Sequence, residues 1–150
     1  MIIGLGLLLA FIVGRQKAQE AKPTEICDLI FTDNIKLLNV PIAKSLLQIR
    51  KGLSKKKDAG QGMLFFWDKP EIKAFWMHNT WIPLQIAFIK NDGTIIQIKS
   101  MVPKTKTNHI SINPVTYALE LAEGQFKEKG LSIGSRLIHR DCRPIKRDGE

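Results

Sequence analysis

Apolar residues along the chain come in short runs broken by polar turns, a pattern of strands rather than of long helices. Ile26 to Phe31 and Ile35 to Val40 predict two strands, with Asp33-Asn34 as the turn between them. Met63 to Trp67 is an apolar run closed by Asp68-Lys69-Pro70, and Ala74 to Met77 is another. Leu84 to Ile89 and Thr94 to Ile98 flank Lys90-Asn91-Asp92-Gly93. An Asp-Gly in a short polar connection between β-branched runs predicts a hairpin. Tyr117 to Leu121 and Leu137 to His139 add further strands, while Val102 to Pro114 is polar and predicts a long surface loop. Only one segment has helical spacing. Ser45 suits an N-cap, Leu46, Leu47, Ile49 and Leu53 would form the apolar face, and Gly52 would stop the helix. Ser54 to Gly62 is a Lys/Gly-rich loop, and no internal repeat is present. The pattern predicts a mainly β, β-rich α+β domain, barrel-like and closed or nearly closed, with one short helix near residues 45–51.

The amino terminus breaks this pattern. Met1 to Gly14 is apolar or glycine throughout, and Arg15 to Ala21 is polar. About 13 apolar residues fit the hydrophobic region of a signal peptide better than a full span of about 20. No Lys or Arg precedes the run, and neither Ala18 nor Ala21 has a small residue three positions earlier, so an uncleaved anchor stays open. We therefore divide the chain into a signal peptide or membrane anchor at 1–21 and a domain at 22–150. The expected location is exported, either periplasmic or anchored to the inner membrane by residues 2–14.

Composition adds two points. The 150 residues carry 23 Lys and Arg against 14 Asp and Glu, a net charge of +9. Two segments hold much of the excess: Arg50, Lys51, Lys55, Lys56, Lys57, and the tail with Arg136, Arg140, Arg143, Lys146 and Arg147. Both read as solvated faces, with an anionic membrane surface or partner as the alternative. The two cysteines, Cys27 and Cys142, are disulfide candidates if the chain is exported, and two unrelated small residues if it is not.

The series Gly62-Met63-Leu64-Phe65, Phe75-Trp76-Met77-His78-Asn79-Thr80, Ile82-Pro83-Leu84, Asp92-Gly93, Leu119-Glu120-Leu121, Gly124 and Gly134 resembles the DUF192 family, also called UPF0127. Arg50-Lys51-Gly52-Leu53 roughly matches that family's first element, and the likeness runs from about Ile35 to Ile138. The resemblance implies a small β-rich domain, often exported or lipid-tethered in bacteria, and brings no activity, ligand or partner with it. The chain departs from the family pattern at His78, where Lys is usual, and at Ser54, where Met is usual. It also has Gln85 and Ser135 where the family usually has Asp, so two carboxylates are missing.

The chemistry must be read from residues. Trp76, Met77, Asn79 and Thr80, with Met63 and Phe65, could be core packing or the wall of a pocket. On a strand, Trp76 and His78 would face one way and Phe75, Met77 and Asn79 the other. Asn79 could instead turn the chain before Pro83. Glu120 lies between two leucines and would face solvent, pair with Arg50, or serve a ligand site. No phosphate loop, nucleophile elbow, dinucleotide fingerprint or zinc-protease helix occurs. His139 and Cys142 are two possible metal ligands where a structural site needs four, and Cys142 lacks an evident base as a nucleophile. We expect no metal and no cofactor, and nucleic acid is disfavoured as a partner. The leading expectation is a non-enzymatic envelope domain that binds a small ligand or envelope protein through Arg50, Met63, Phe65, Trp76, Met77, Asn79, Thr80 and Glu120. The rivals are an enzyme using Glu120 with Arg50, His78 and Asn79, and a basic module lying on a membrane surface.

Overall fold

The computed structural model describes residues 10–16 and 20–146. Residues 10–16 are helical. The domain that follows has nine strands and two short α-helices. In chain order they are β1 (Glu25–Phe31), β2 (Lys36–Ala43), α1 (Leu46–Lys51), β3 (Met63–Glu71), β4 (Ala74–Phe75), β5 (Leu84–Ile89), β6 (Ile95–Met101), β7 (His109–Ile110), β8 (Val115–Ala122), α2 (Gln125–Glu128) and β9 (Leu137–Pro144). Seven strands form one sheet in the order β6-β5-β8-β3-β2-β1-β9, and β4 and β7 form a separate pair. All neighbours in the large sheet are antiparallel except β2 and β3. The sheet is not closed as a barrel. Its edges, β6 and β9, do not pair along their length and are joined only at their starts, by the isolated bridge between Thr94 and Arg136 and by the neighbouring bonds from Ile95 N to Ser135 O and from Leu137 N to Gly93 O.

Local chemistry accounts for several turns. Asp33 and Asn34 carry the β1–β2 connection at positive φ, which these residues tolerate. Gly93 closes the β5–β6 hairpin at φ 86°, and a side chain there would run into the Leu137 carbonyl. Ser45 caps α1 by accepting the Gln48 N–H, Gln48 Oε1 accepts the Ser45 N–H in return, and Gly52 ends the helix at φ 45°.

The helix face is the first correction. Leu46 and Leu47 are exposed and the buried residue of α1 is Gln48, whereas Ile49 and Leu53 pack inward as expected. The Gln48 Oε1 also accepts the Lys44 N–H, and its Nε2 donates to the Lys22 carbonyl. An amide whose oxygen and nitrogen are both engaged is cheap to bury, so the capping interaction overrides the apolar periodicity. The second correction is in 102–114, where His109–Ile110 leaves the expected loop and pairs with β4. Helix α2 had no signal in the apolar pattern.

The sheet separates two apolar clusters. The first is enclosed by the curl of the sheet and contains Cys27, Leu29, Phe31, Val40, Leu64 and Leu119 among others. Cys27 and Cys142 lie opposite each other on β1 and β9 and form a disulfide. The second cluster lies on the other face of β3, β5 and β8. It is covered by Leu53 and Ala59 from the segment after α1 and by Met77.

Candidate functional site

The residues singled out in the sequence divide by burial at the second cluster. Met63, Phe65 and Met77 are buried together, with Phe75 packed edge-on to Phe65 at 4.9 Å between ring centroids. These residues pack as core, and Met63 also borders a surface cleft. Trp76, His78 and Asn79 are exposed, so the alternation expected of a strand holds as far as His78 and fails at Asn79. The strand itself ends at Phe75. Asn79 takes a left-handed turn at φ 58°, and Thr80 is buried beyond it.

This short loop is held firmly by its backbone. Met77 N donates to Thr105 O at 3.1 Å, Thr80 N to Met77 O at 3.0 Å, and Lys104 N to Thr80 O at 2.9 Å. Lys55 N donates to Asn79 O at 2.8 Å, which ties the loop to the Lys-rich segment after α1. Trp76 and Trp81 each leave 51% of their surface exposed on this fixed frame. The Trp76 ring lies 5.2 Å from the His78 ring. Val102, adjoining the same loop, is also exposed. Two half-exposed indoles on a hydrogen-bonded loop can bury apolar area against a partner without ordering backbone first.

Glu120 is a different kind of site. It sits in the middle of the sheet, in register with Met63 on β3 and Ile86 on β5, so its side chain is on the face of the second cluster. It is only 5% exposed. Among the described residues its carboxyl has no ion-pair partner. Burial alone pushes its pKa up to about 8, so at neutral pH it is mostly the neutral acid. The expected Arg50 clamp does not form: Arg50 is exposed on α1. His78 and Asn79 are exposed too, whereas Glu120 is buried.

The missing carboxylates have structural successors. Gln85 accepts the Gly124 N–H through Oε1, and Ser135 accepts the Ser132 N–H through Oγ. Both positions therefore serve turns, a role that an acceptor of either type can fill. Cys142 is spent in the disulfide, which removes it as a thiol nucleophile or metal ligand.

The Lys-rich segment, expected to be a solvated face with an anionic surface or partner as the alternative, borders a cleft. The cleft is about 760 Å³ and is lined by Lys22, Lys51 to Met63, and Ile145, among others. Lys51, Lys55, Lys56 and Lys57 join Lys22 there. Asp58, the only acidic residue of the lining among the described residues, is engaged by the Gly60 N–H at 2.9 Å. The cleft needs the start of β1 beside the end of β9, where Ile145 N donates to Thr24 O. Residues so distant in sequence leave no local signal of their meeting.

A family model described as "DUF192: Uncharacterized ACR, COG1430" matches residues 29–139. No curated protein matches the chain. The crystal structures that resemble it include the following two. One, from Sinorhizobium meliloti 1021, is described as a "putative transcription regulator"; it is 33% identical, with a TM-score of 0.68 over 82% of this chain and 95% of that one. The other, from Novosphingobium aromaticivorans DSM 12444, is a protein of unknown function; it is 25% identical, with a TM-score of 0.66 over 77% of this chain and 83% of that one.

Proposed function

The chain belongs to the DUF192 family, whose description assigns no activity, and from that premise we propose that it is a non-enzymatic binding domain of the cell envelope. Its contact surface is the Trp76–Trp81 loop, and its occupant is a segment of an envelope protein. The observation that carries this reading is the pair of half-exposed tryptophans on a loop whose backbone is fixed by four hydrogen bonds. Tryptophan is enriched at the energetic centres of protein interfaces, and a rigid frame lowers the entropic cost of binding. The envelope location rests on the apolar start of the chain and on the Cys27–Cys142 disulfide, a bond that persists in oxidising compartments. The regulatory role in the description of the Sinorhizobium relative finds no support in a recognition helix here. The two helices of the domain span only Leu46–Lys51 and Gln125–Glu128.

A photo-crosslinking residue in place of His78, in the full chain in its own cells, tests this. The expected result is a discrete protein adduct that is absent when the crosslinker replaces Lys127 and lost in the Trp76→Ala, Trp81→Ala background. No adduct at position 78, or one indifferent to both tryptophans, would sink the proposal.

A further inference from the structure

The Lys-lined cleft and the point where the amino-terminal segment joins the domain are one corner of the molecule. Gln48 Nε2 donates to the Lys22 carbonyl at 3.0 Å, which pins the connection between residues 10–16 and β1 against α1. Lys22 itself lines the cleft with Lys51 and Lys55 to Lys57. On α1, next to Gln48, Leu46 and Leu47 are exposed, Leu46 at 63%. In the amino-terminal helical segment Phe11, Ile12 and Val13 are exposed as well. Cations and exposed leucines thus occur together on α1 and the segment after it, where the chain enters the fold. At a bilayer interface the combination fits, because lysines reach phosphate headgroups while leucines enter the acyl boundary.

We propose that this corner is the membrane-facing surface of the domain, and that its occupant is an anionic phospholipid bilayer. The lysines of the cleft lie on the headgroups, and Leu46 and Leu47 enter the interface. The docked orientation fixes which side of the domain meets lipid. It deepens the envelope location argued above and rests on it, but does not depend on the tryptophan surface. Each lysine brought to an anionic surface strengthens partitioning about fivefold, so Lys55, Lys56 and Lys57 together account for on the order of a hundredfold. The effect weakens with salt, because the Debye length shrinks from about 10 Å at 0.1 M to roughly 4–5 Å at 0.5 M.

Vesicle flotation of the full chain tests this, on phosphatidylcholine alone and on phosphatidylcholine with phosphatidylglycerol. Three proteins are compared: the native chain, Lys55→Gln with Lys56→Gln and Lys57→Gln, and a control of equal charge with Lys69→Gln, Lys90→Gln and Lys127→Gln. All six positions are exposed, so both variants are expected to fold. The cleft variant should lose on the order of a hundredfold in partitioning to the anionic vesicles. It should match the native chain on neutral ones. The control variant should lose far less, and 0.5 M salt should abolish the difference. Equal loss in both variants would reduce the effect to net charge and overturn the proposal, as would no preference for anionic vesicles. Binding of inorganic polyphosphate through the cleft lysines without vesicle binding would also overturn it, and would make the cleft a site for soluble anions. A failed flotation with an intact His78 adduct would leave the partner surface standing, and the reverse result would remove that surface alone.

Discussion

Replacing Glu120 with glutamine isolates one ionisable group placed in an apolar wall. In the unfolded chain a glutamate titrates near 4.5, whereas burial between Met63 and Ile86 pushes Glu120 up to about 8. Between those values the folded state holds a proton that the unfolded state has released. Stability contributed by the neutral acid is therefore fully present below about 4.5 and is lost as pH rises toward 8. At about 1.4 kcal/mol per pH unit, the native protein loses about 3 kcal/mol between pH 5 and pH 7.5 through this group. Glu120→Gln keeps the shape of the neutral acid and removes the titration. The variant should match the native protein within about 1 kcal/mol at pH 5 and exceed it by about 3 kcal/mol at pH 7.5, a gain of roughly 10 °C in Tm. Urea unfolding at pH 5, 6, 7 and 7.5, read by tryptophan fluorescence and circular dichroism, measures both curves. His109 acts in the opposite direction, since burial and then Lys99 lower its pKa, and its protonation on unfolding makes stability rise with pH. That contribution is common to both proteins and cancels in the difference. Asp28, Glu71 and Asp92 have lowered pKa values, held down by hydrogen bonds from Asn39, Lys73 and Thr94 respectively, and titrate below this window. Parallel curves for the two proteins would refute the reasoning, because the Glu120 carboxyl would then have to reach water or a cation.

Three further outcomes follow from the fold. Cys27→Ser with Cys142→Ser opens a cross-link between residues 115 apart in sequence. It should cost about 4 kcal/mol in the chain-entropy view, seen as a lower urea midpoint that reductant no longer shifts. Gly62→Ala places a Cβ against the Glu120 carbonyl at φ 78°, in the tightest approach of the loop to β8. It should destabilise by about 3 kcal/mol or leave the chain insoluble, checked by melting and by soluble yield. Gln48→Ala removes the acceptor for Lys44 and Ser45 and the donor to Lys22, and should cost about 2 kcal/mol. Proteolysis near Lys22 should accelerate in that variant, since the connection to β1 loses its tie.

What could be read locally was read well. The Ser45 cap, the Gly52 stop and the Asp92-Gly93 hairpin follow from chemistry within a few residues. The same holds for the in-and-out alternation of Phe75, Trp76 and Met77, which survives even though the strand ends at Phe75. Features that depend on distant partners were not legible. Gln48 is buried because Lys22 supplies a carbonyl, and no apolar pattern encodes that contact. Whether Met63 and Phe65 line a pocket or fill a core depends on Leu53 and Ala59 closing over them from the next loop. The environment of Glu120 depends on the register of β3 and β5 on either side of β8, and the cleft on the meeting of β1 with β9. Closure of the sheet was overread, because strand count does not fix whether β6 and β9 pair along their length or only at their starts.

The binding surface and the membrane-facing corner both presuppose that the domain works outside the reducing interior of the cell. Thiol trapping tests this directly. Cells producing the native chain are opened in denaturant with a polymer-coupled maleimide, so that each free thiol adds a resolvable mass step. The chain has two cysteines, paired with each other in the fold. The account predicts no mass step without reductant and two steps after reduction. Two steps without reductant would mean that the thiols are free in the cell, and would contradict the envelope location on which the proposed function stands.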